Sequence, residues 1–283
     1  MRVDAIPMTL RAALLSVVLF GCFLFAWQLL SASGQTEAPV GMDPELAVLL
    51  GPQAKGESAF PAPAEVFSEL KRHVTDPFYD AGPNDKGIGI QLAYSIMRVL
   101  VGFGLAALVA IPLGFVIGMS PLLFKALDPF IQLLKPISPL AWMPLALYTI
   151  QDSMTSAIFV IFICSLWPML INTAFGVGAV RTEYVNVAKT LELGPWRTAL
   201  SVILPAAAPT ILTGMRISIG IAWLVIVAAE MLVGGTGIGY FVWNEWNNLS
   251  ITNVIAAILF IGVIGMVLDL IVAFFQQRVS YAD

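Results

Sequence analysis

From Ser153 to Val180 the chain carries no charged side chain. Five further apolar stretches surround that run: Ala12–Leu30, the residues from Arg98 to about Met119, Pro129–Ile150, Pro209–Met231 and Ile251–Phe275. A helix rising 1.5 Å per residue needs about 20 apolar residues to cross a hydrocarbon layer about 30 Å thick. These stretches have that length, and lipid leaves the backbone no choice but a helix or a closed barrel. Barrel strands alternate over about ten residues, which these continuous runs do not. The expected fold class is therefore all-α, a polytopic membrane helix bundle with six transmembrane helices.

Composition agrees. Of the 283 residues, 59% are hydrophobic and 11% charged, against about 25% charged in ordinary soluble domains. A net charge of −4 with no basic stripe argues against nucleic acid. Cys22 and Cys164 sit in separate apolar runs and read as small buried hydrophobes. His73 is the only histidine, so no metal site is expected and it reads as a solvated side chain. The first run resembles a secretory signal, but about 19 uncharged residues exceed a usual signal core and favour a retained helix.

Basic residues set the expected orientation. Arg2, Arg11, Lys125, Arg181, Lys189, Arg197 and Arg278 fall on one side of a six-helix count. Gln151–Ser153 and Leu232–Ser250, on the other side, carry no Lys or Arg. Both termini are expected in the cytoplasm. Residues 1–30 are read as a tail and first helix, and 31–90 as a periplasmic segment. Within that segment, Pro63 opens an amphipathic helix with Val66, Phe67, Leu70 and Val74 on one face. Ser31–Ser58 is read as irregular. Residues 91–278 form the transmembrane core.

The connection 181–209 carries the clearest signal. Thr182 can cap a helix with Glu183 in its first turn. Tyr184, Val187, Ala188 and Leu191 share one apolar face by their spacing, and Gly194-Pro195 is expected to stop the helix. A second short stretch should run from Trp196 to Leu204-Pro205. So small an amphipathic helix needs a surface to pack on, either its own bundle or a cytoplasmic partner.

Asn186-Val-Ala-Lys-Thr-Leu-Glu192, followed by Val202-Ile-Leu204-Pro205, resembles the coupling-loop motif of type I ABC importer permeases. That motif reads Glu-Ala-Ala, three residues, Gly, nine residues, then Ile-x-Leu-Pro. The spacing matches throughout, while Asn186 and Glu192 replace the usual Glu and Gly. Pro112-Leu-Gly114, Lys135-Pro-Ile-Ser-Pro139, Gln151-Asp-Ser153 and Val227-Ala-Ala-Glu-Met231 resemble the nitrate, cyanate, bicarbonate and taurine subgroup, most of all its nitrate permeases.

The resemblance implies a bacterial inner-membrane subunit working by alternating access beside a second copy of itself. Two ATPase subunits or domains would dock at the loop through Tyr184, Asn186, Val187, Ala188, Lys189, Leu191, Glu192 and Gly194. A periplasmic or lipid-anchored binding protein would deliver cargo. The chain itself would bind no cofactor, and ATP and Mg would belong to the partners. The implied cargo is a small inorganic anion, nitrate or nitrite first, with cyanate, bicarbonate, or taurine and other sulfonates as alternatives. An ATP-independent carrier or channel is the reading from another class.

Charges at membrane depth mark a pathway or a structural pair. Lys135 and Trp142, in a third segment that Pro129, Pro136, Pro139 and Pro144 are expected to break, and Arg216 and Glu230 in the fifth are the pathway candidates. Each also has a structural reading. Lys135 could snorkel or pair with Asp128, Arg216 could pair with a carboxylate near the coupling loop, and Glu230 could pair with Arg98. Gly234–Gly239 lacks the Lys-Ser/Thr ending of a phosphate loop and reads as a tight turn. No hydrolase or zinc-protease motif is present, so no catalytic residue is expected.

Overall fold

The computed structural model describes residues 8–33, 60–82 and 84–279. The tail and most of the stretch expected to be irregular lie outside these residues. The described chain is almost wholly helical: α1 (Met8–Ser33), α2 (Pro63–Thr75), α3 (Ile88–Met119), α4 (Pro121–Leu134), α5 (Pro139–Ile150) and α6 (Ser153–Gly178). Then come α7 (Thr182–Thr190), α8 (Pro195–Thr198), a π-helical turn at Ala199–Ile203, α9 (Leu204–Val233), α10 (Ile238–Asn247) and α11 (Ile251–Val279). Five helical stretches are long and apolar enough to span a bilayer, and the bent pair α4–α5 makes six.

Two compact units divide the chain. The first comprises Met1–Asp76 with Glu245–Ala256. Here α2 forms as expected, with Pro63 in its first turn and Glu65 accepting from the Ala62 N–H (3.2 Å). Its apolar face divides, because Val66 is buried while Phe67 and Val74 are exposed. His73, expected to be solvated, is instead buried. Its Nε2 lies 3.1 Å from Asn253 Oδ1, and Asn253 Nδ2 donates to Glu245 at 2.6 Å. Burial of an imidazole is tolerated because Asn253 satisfies it.

The second unit, Pro77–Asn244 with Ala257–Asp283, holds the bundle core. Its axis is α6, which packs against both α3 and α9. Small residues permit this closeness, as is usual for helices in lipid. At Gly114 a Cβ would lie 2.7 Å from the Leu170 carbonyl oxygen and from Thr173 Cβ. Three apolar clusters run along the axis. One joins Val99, Met143, Ile161, Trp223 and Ile226, the next Ala106, Ala110, Met169 and Leu170, and the last Val177, Ile203, Ala207 and Ile211. Asp152 caps α6, accepting from Thr155 Oγ1 (2.6 Å) and its N–H (2.8 Å). These bonds to the ionised form hold its carboxyl below the usual carboxylate range.

Further sequence expectations need correction. Cys22, expected to be buried, is exposed. Arg98 does not bound the second span but sits inside α3, which begins ten residues earlier at Ile88. Leu204-Pro205 does not end a short helix. Pro205 falls in the first turn of α9, where its missing N–H costs nothing, and the helical path from Pro195 to Val233 is unbroken over 39 residues. Thr182 is the first helical residue of α7, not its cap, and the Arg181 side chain before it makes no capping bond.

Candidate functional site

The loop between α6 and α9 folds into a compact element. The α7 helix ends at Thr190, before the Gly194-Pro195 expected to stop it. Glu192 adopts φ +53°, in the left-handed region. The Leu193 N–H bonds the Ala188 carbonyl and the Glu192 N–H bonds that of Lys189, both at 3.0 Å. This pair of bonds is a Schellman motif, whose left-handed position usually holds glycine. Glu192 is also the position where the resembled motif has Gly, so the local geometry explains that preference. Ala188 turns inward and is buried, while Tyr184, Val187, Leu191 and Trp196 are exposed. Asn186, Lys189 and Gly194 complete the element; the Asn186 carbonyl accepts from Thr190 Oγ1 at 3.0 Å, and the Gly194 carbonyl accepts from the Thr198 N–H at 3.0 Å.

The broken segment turns by 87° between α4 and α5. Lys135 caps the end of α4, and Pro139 opens α5. Lys135 is exposed, and among the described residues no acid lies within ion-pairing distance of it. Asp128 instead accepts from Gln132 at 3.4 Å. Trp142 packs on the first apolar cluster and is half-buried.

Arg216 meets a carboxylate from the last helix. Its Nε donates to Asp269 Oδ1 (2.7 Å) and its NH2 to Oδ2 (2.6 Å). The two side chains stay 44% and 42% exposed. Such a two-pronged fork fixes both position and angle. With 12 residues of α9 before it, Arg216 lies about 18 Å along that helix at 1.5 Å per residue.

Glu230 sits in an enclosed polar cluster at the C-terminal end of α9, with only 1% of its surface exposed. Arg98 NH1 donates to its Oε1 (2.6 Å) and to the Thr236 carbonyl (2.7 Å). Ser95 Oγ donates to Glu230 (2.8 Å) and accepts the Ile238 N–H (2.9 Å). Gln91 Oε1 accepts the Gly237 N–H (2.6 Å), and Glu230 Oε2 accepts the Gly239 N–H (3.0 Å). The first N–H groups of a helix have no partner within it. Those at the start of α10 are therefore satisfied by side chains from α3 and α9. A negative carboxylate also suits the positive end of the helix dipole. A Cβ at Gly237 would strike the Glu230 carboxylate. The sequence reading found the Arg98–Glu230 pair and the turn but missed that they form one cluster. The signal was present: Gln91, Ser95 and Arg98 recur at helical spacing on one face of α3.

Residues 110–281 match the family model described as "Binding-protein-dependent transport system inner membrane component". The chain belongs to this family. It is accordingly a transport permease subunit of an ABC importer and not an enzyme. The matched span includes the whole 181–209 loop. The chain is 46% identical to the nitrate import permease protein of a Synechocystis species over 226 residues, covering 80% of this chain and 82% of that one. It is 40% identical to a bicarbonate transport system permease protein of the same genus, covering 91% and 85%. An inward-facing MetNI methionine ABC transporter superposes with a TM-score of 0.60 at 13% identity, covering 68% of this chain and 95% of that one. At that identity the likeness shows the shared permease fold. The family's description names a binding-protein-dependent transport system, and a permease of an ABC importer implies ATPase and substrate-binding partners.

Proposed function

We propose that this chain is the membrane pathway of an ATP-driven importer for a small inorganic anion, nitrate or nitrite, in a bacterial inner membrane. The observation that carries the substrate is the 46% identity to a nitrate import permease over four-fifths of both chains. Two copies face each other around one pathway, and both termini are cytoplasmic. Residues 91–278 are the transporting core, and 31–90 lie on the periplasmic side.

The 181–209 loop docks the ATPase subunits, which hold ATP and Mg. Tyr184, Val187 and Leu191 are the contact surface, and this reading accounts for three large apolar side chains left uncovered on a short helix. Lys135 and Arg216 are the cations exposed to the pathway. A guanidinium left 44% exposed this far along a spanning helix is far cheaper facing water than lipid.

The test is reconstitution with the ATPase and binding subunits in liposomes. Nitrate is expected to stimulate ATP hydrolysis and to accumulate inside. Stimulation by taurine alone, with none by nitrate, cyanate or bicarbonate, would overturn the anion assignment. Uptake that persists without the ATPase subunits would overturn the ATP-driven one. Bicarbonate is the second reading, favoured by the 40% identity to a bicarbonate permease over 91% of this chain.

A further inference from the structure

The enclosed cluster around Glu230 is too expensive to be explained by stability. Burying a carboxylate and a guanidinium costs several kcal/mol per ion before their attraction repays it, and an apolar replacement of similar shape is often no worse. Here even the guanidinium is imperfectly served, because Arg98 Nε is buried without a hydrogen-bond partner. What the charges do, and an apolar pair could not, is hold backbone. Arg98 grips the Thr236 carbonyl, Glu230 the Gly239 N–H, Ser95 the Ile238 N–H and Gln91 the Gly237 N–H. Four consecutive residues, two ending the connection after α9 and two opening α10, thus each have a backbone polar group held by a side chain of α3 or α9. Glycine at 237 leaves the carboxylate room to reach them.

We propose that Gln91, Ser95, Arg98 and Glu230 are positioning residues. They clamp the Thr236–Gly239 turn and the first turn of α10 to α3 and α9 throughout the transport cycle, so that these parts move as one body. On the reading above, on which this inference rests, the clamp lies at the periplasmic mouth and presents a fixed surface to the incoming binding protein. Pre-set geometry lowers the ordering cost of that encounter. The clamp therefore acts on recognition of the binding protein rather than on the chemistry of ATP.

Two measurements on the reconstituted complex test this. The first is amide hydrogen exchange of the segment 236–241, with the complex ATP-free and again trapped with ATP and vanadate. Equal protection in both states is expected, together with at least tenfold faster exchange in Ser95→Ala and Gln91→Leu. Protection that disappears on trapping would overturn the proposal, because the turn would then leave α3 during the cycle. This arm needs no transported solute, so it decides the clamp even if nitrate proves not to be the cargo.

The second compares wild type with the double variant Arg98→Met, Glu230→Met, by the nitrate-loaded binding-protein concentration giving half-maximal ATP hydrolysis. A rise of about tenfold is expected, with a cooperative thermal transition retained and the maximal rate within about twofold. A double variant matching wild type in half-saturation would mean that the pair only fills space, and would overturn the positioning role.

Discussion

The Arg216 guanidinium lies edge-on to the Asp269 carboxylate, with Nε on one oxygen and NH2 on the other, bridging α9 and the last helix. Only a planar fork makes that contact, so lysine is no conservative substitute. Arg216→Lys keeps the charge and loses one prong. Nitrate uptake into proteoliposomes is expected to fall about tenfold, roughly one charge-assisted hydrogen bond lost. The reversal Arg216→Asp with Asp269→Arg is expected to recover part of it. Full uptake by Arg216→Lys would show that the pair has no part in the pathway.

Leu191→Asp places a charge on the exposed Tyr184–Val187–Leu191 surface. The variant is expected to lose co-purification with the ATPase subunits while its own thermal midpoint stays put. Leu191 is 66% exposed in the permease alone, so the change creates no cavity. An intact complex carrying this substitution would remove the surface from the docking reading.

Glu192→Gly relieves a left-handed backbone. An L-residue there costs roughly 1–2 kcal/mol relative to glycine. The variant is expected to melt higher by about 1 kcal/mol at the midpoint, measured by thermal unfolding in detergent. A lower midpoint would mean that the Glu192 side chain holds the loop more firmly than its backbone strains it.

Gly114→Val forces a branched side chain into the α3–α6 contact, against the Leu170 carbonyl and Thr173. Overpacking of this kind typically costs about 1–3 kcal/mol, and backbone on the far side cannot give way. Destabilisation of that order is expected by thermal unfolding. Gly104→Val is the control, since nothing lies within 4 Å of a Cβ there, and it should leave the midpoint unchanged.

Spans were legible in the sequence because lipid imposes one rule, length of apolar run. The broken third segment was legible from Pro129, Pro136, Pro139 and Pro144, but Pro129 and Pro144 lie inside helices and the bend falls between Leu134 and Pro139. What misled was treating charge as a boundary. Arg98 lies within α3 because Glu230, 132 positions away, receives it, and a charge with a buried partner need not end a span. Leu204-Pro205 looks like a stop in sequence because proline usually breaks a helix, but one in the first turn does not. His73 was placed in solvent because Asn253, which satisfies it, is 180 residues distant. The exposed apolar positions Tyr184, Val187 and Leu191 were legible from spacing, whereas Ala188, expected on the same face, is buried. The end of α7 was not, because the motif's glycine position is held by Glu192, and only the backbone torsion reveals why glycine belongs there.

The π-helical turn at Ala199–Ile203 is in effect one residue inserted into a helix. It lies between the α7 loop and a spanning helix that continues to Val233. Each residue turns a helix by about 100°. Deleting one residue there would swing Tyr184 and Val187 by about that angle relative to Glu230. The direction in which the loop faces and the seat of the distant carboxylate are thus two readings on one dial. Insertions or deletions between them are penalised by angle long before they are penalised by length.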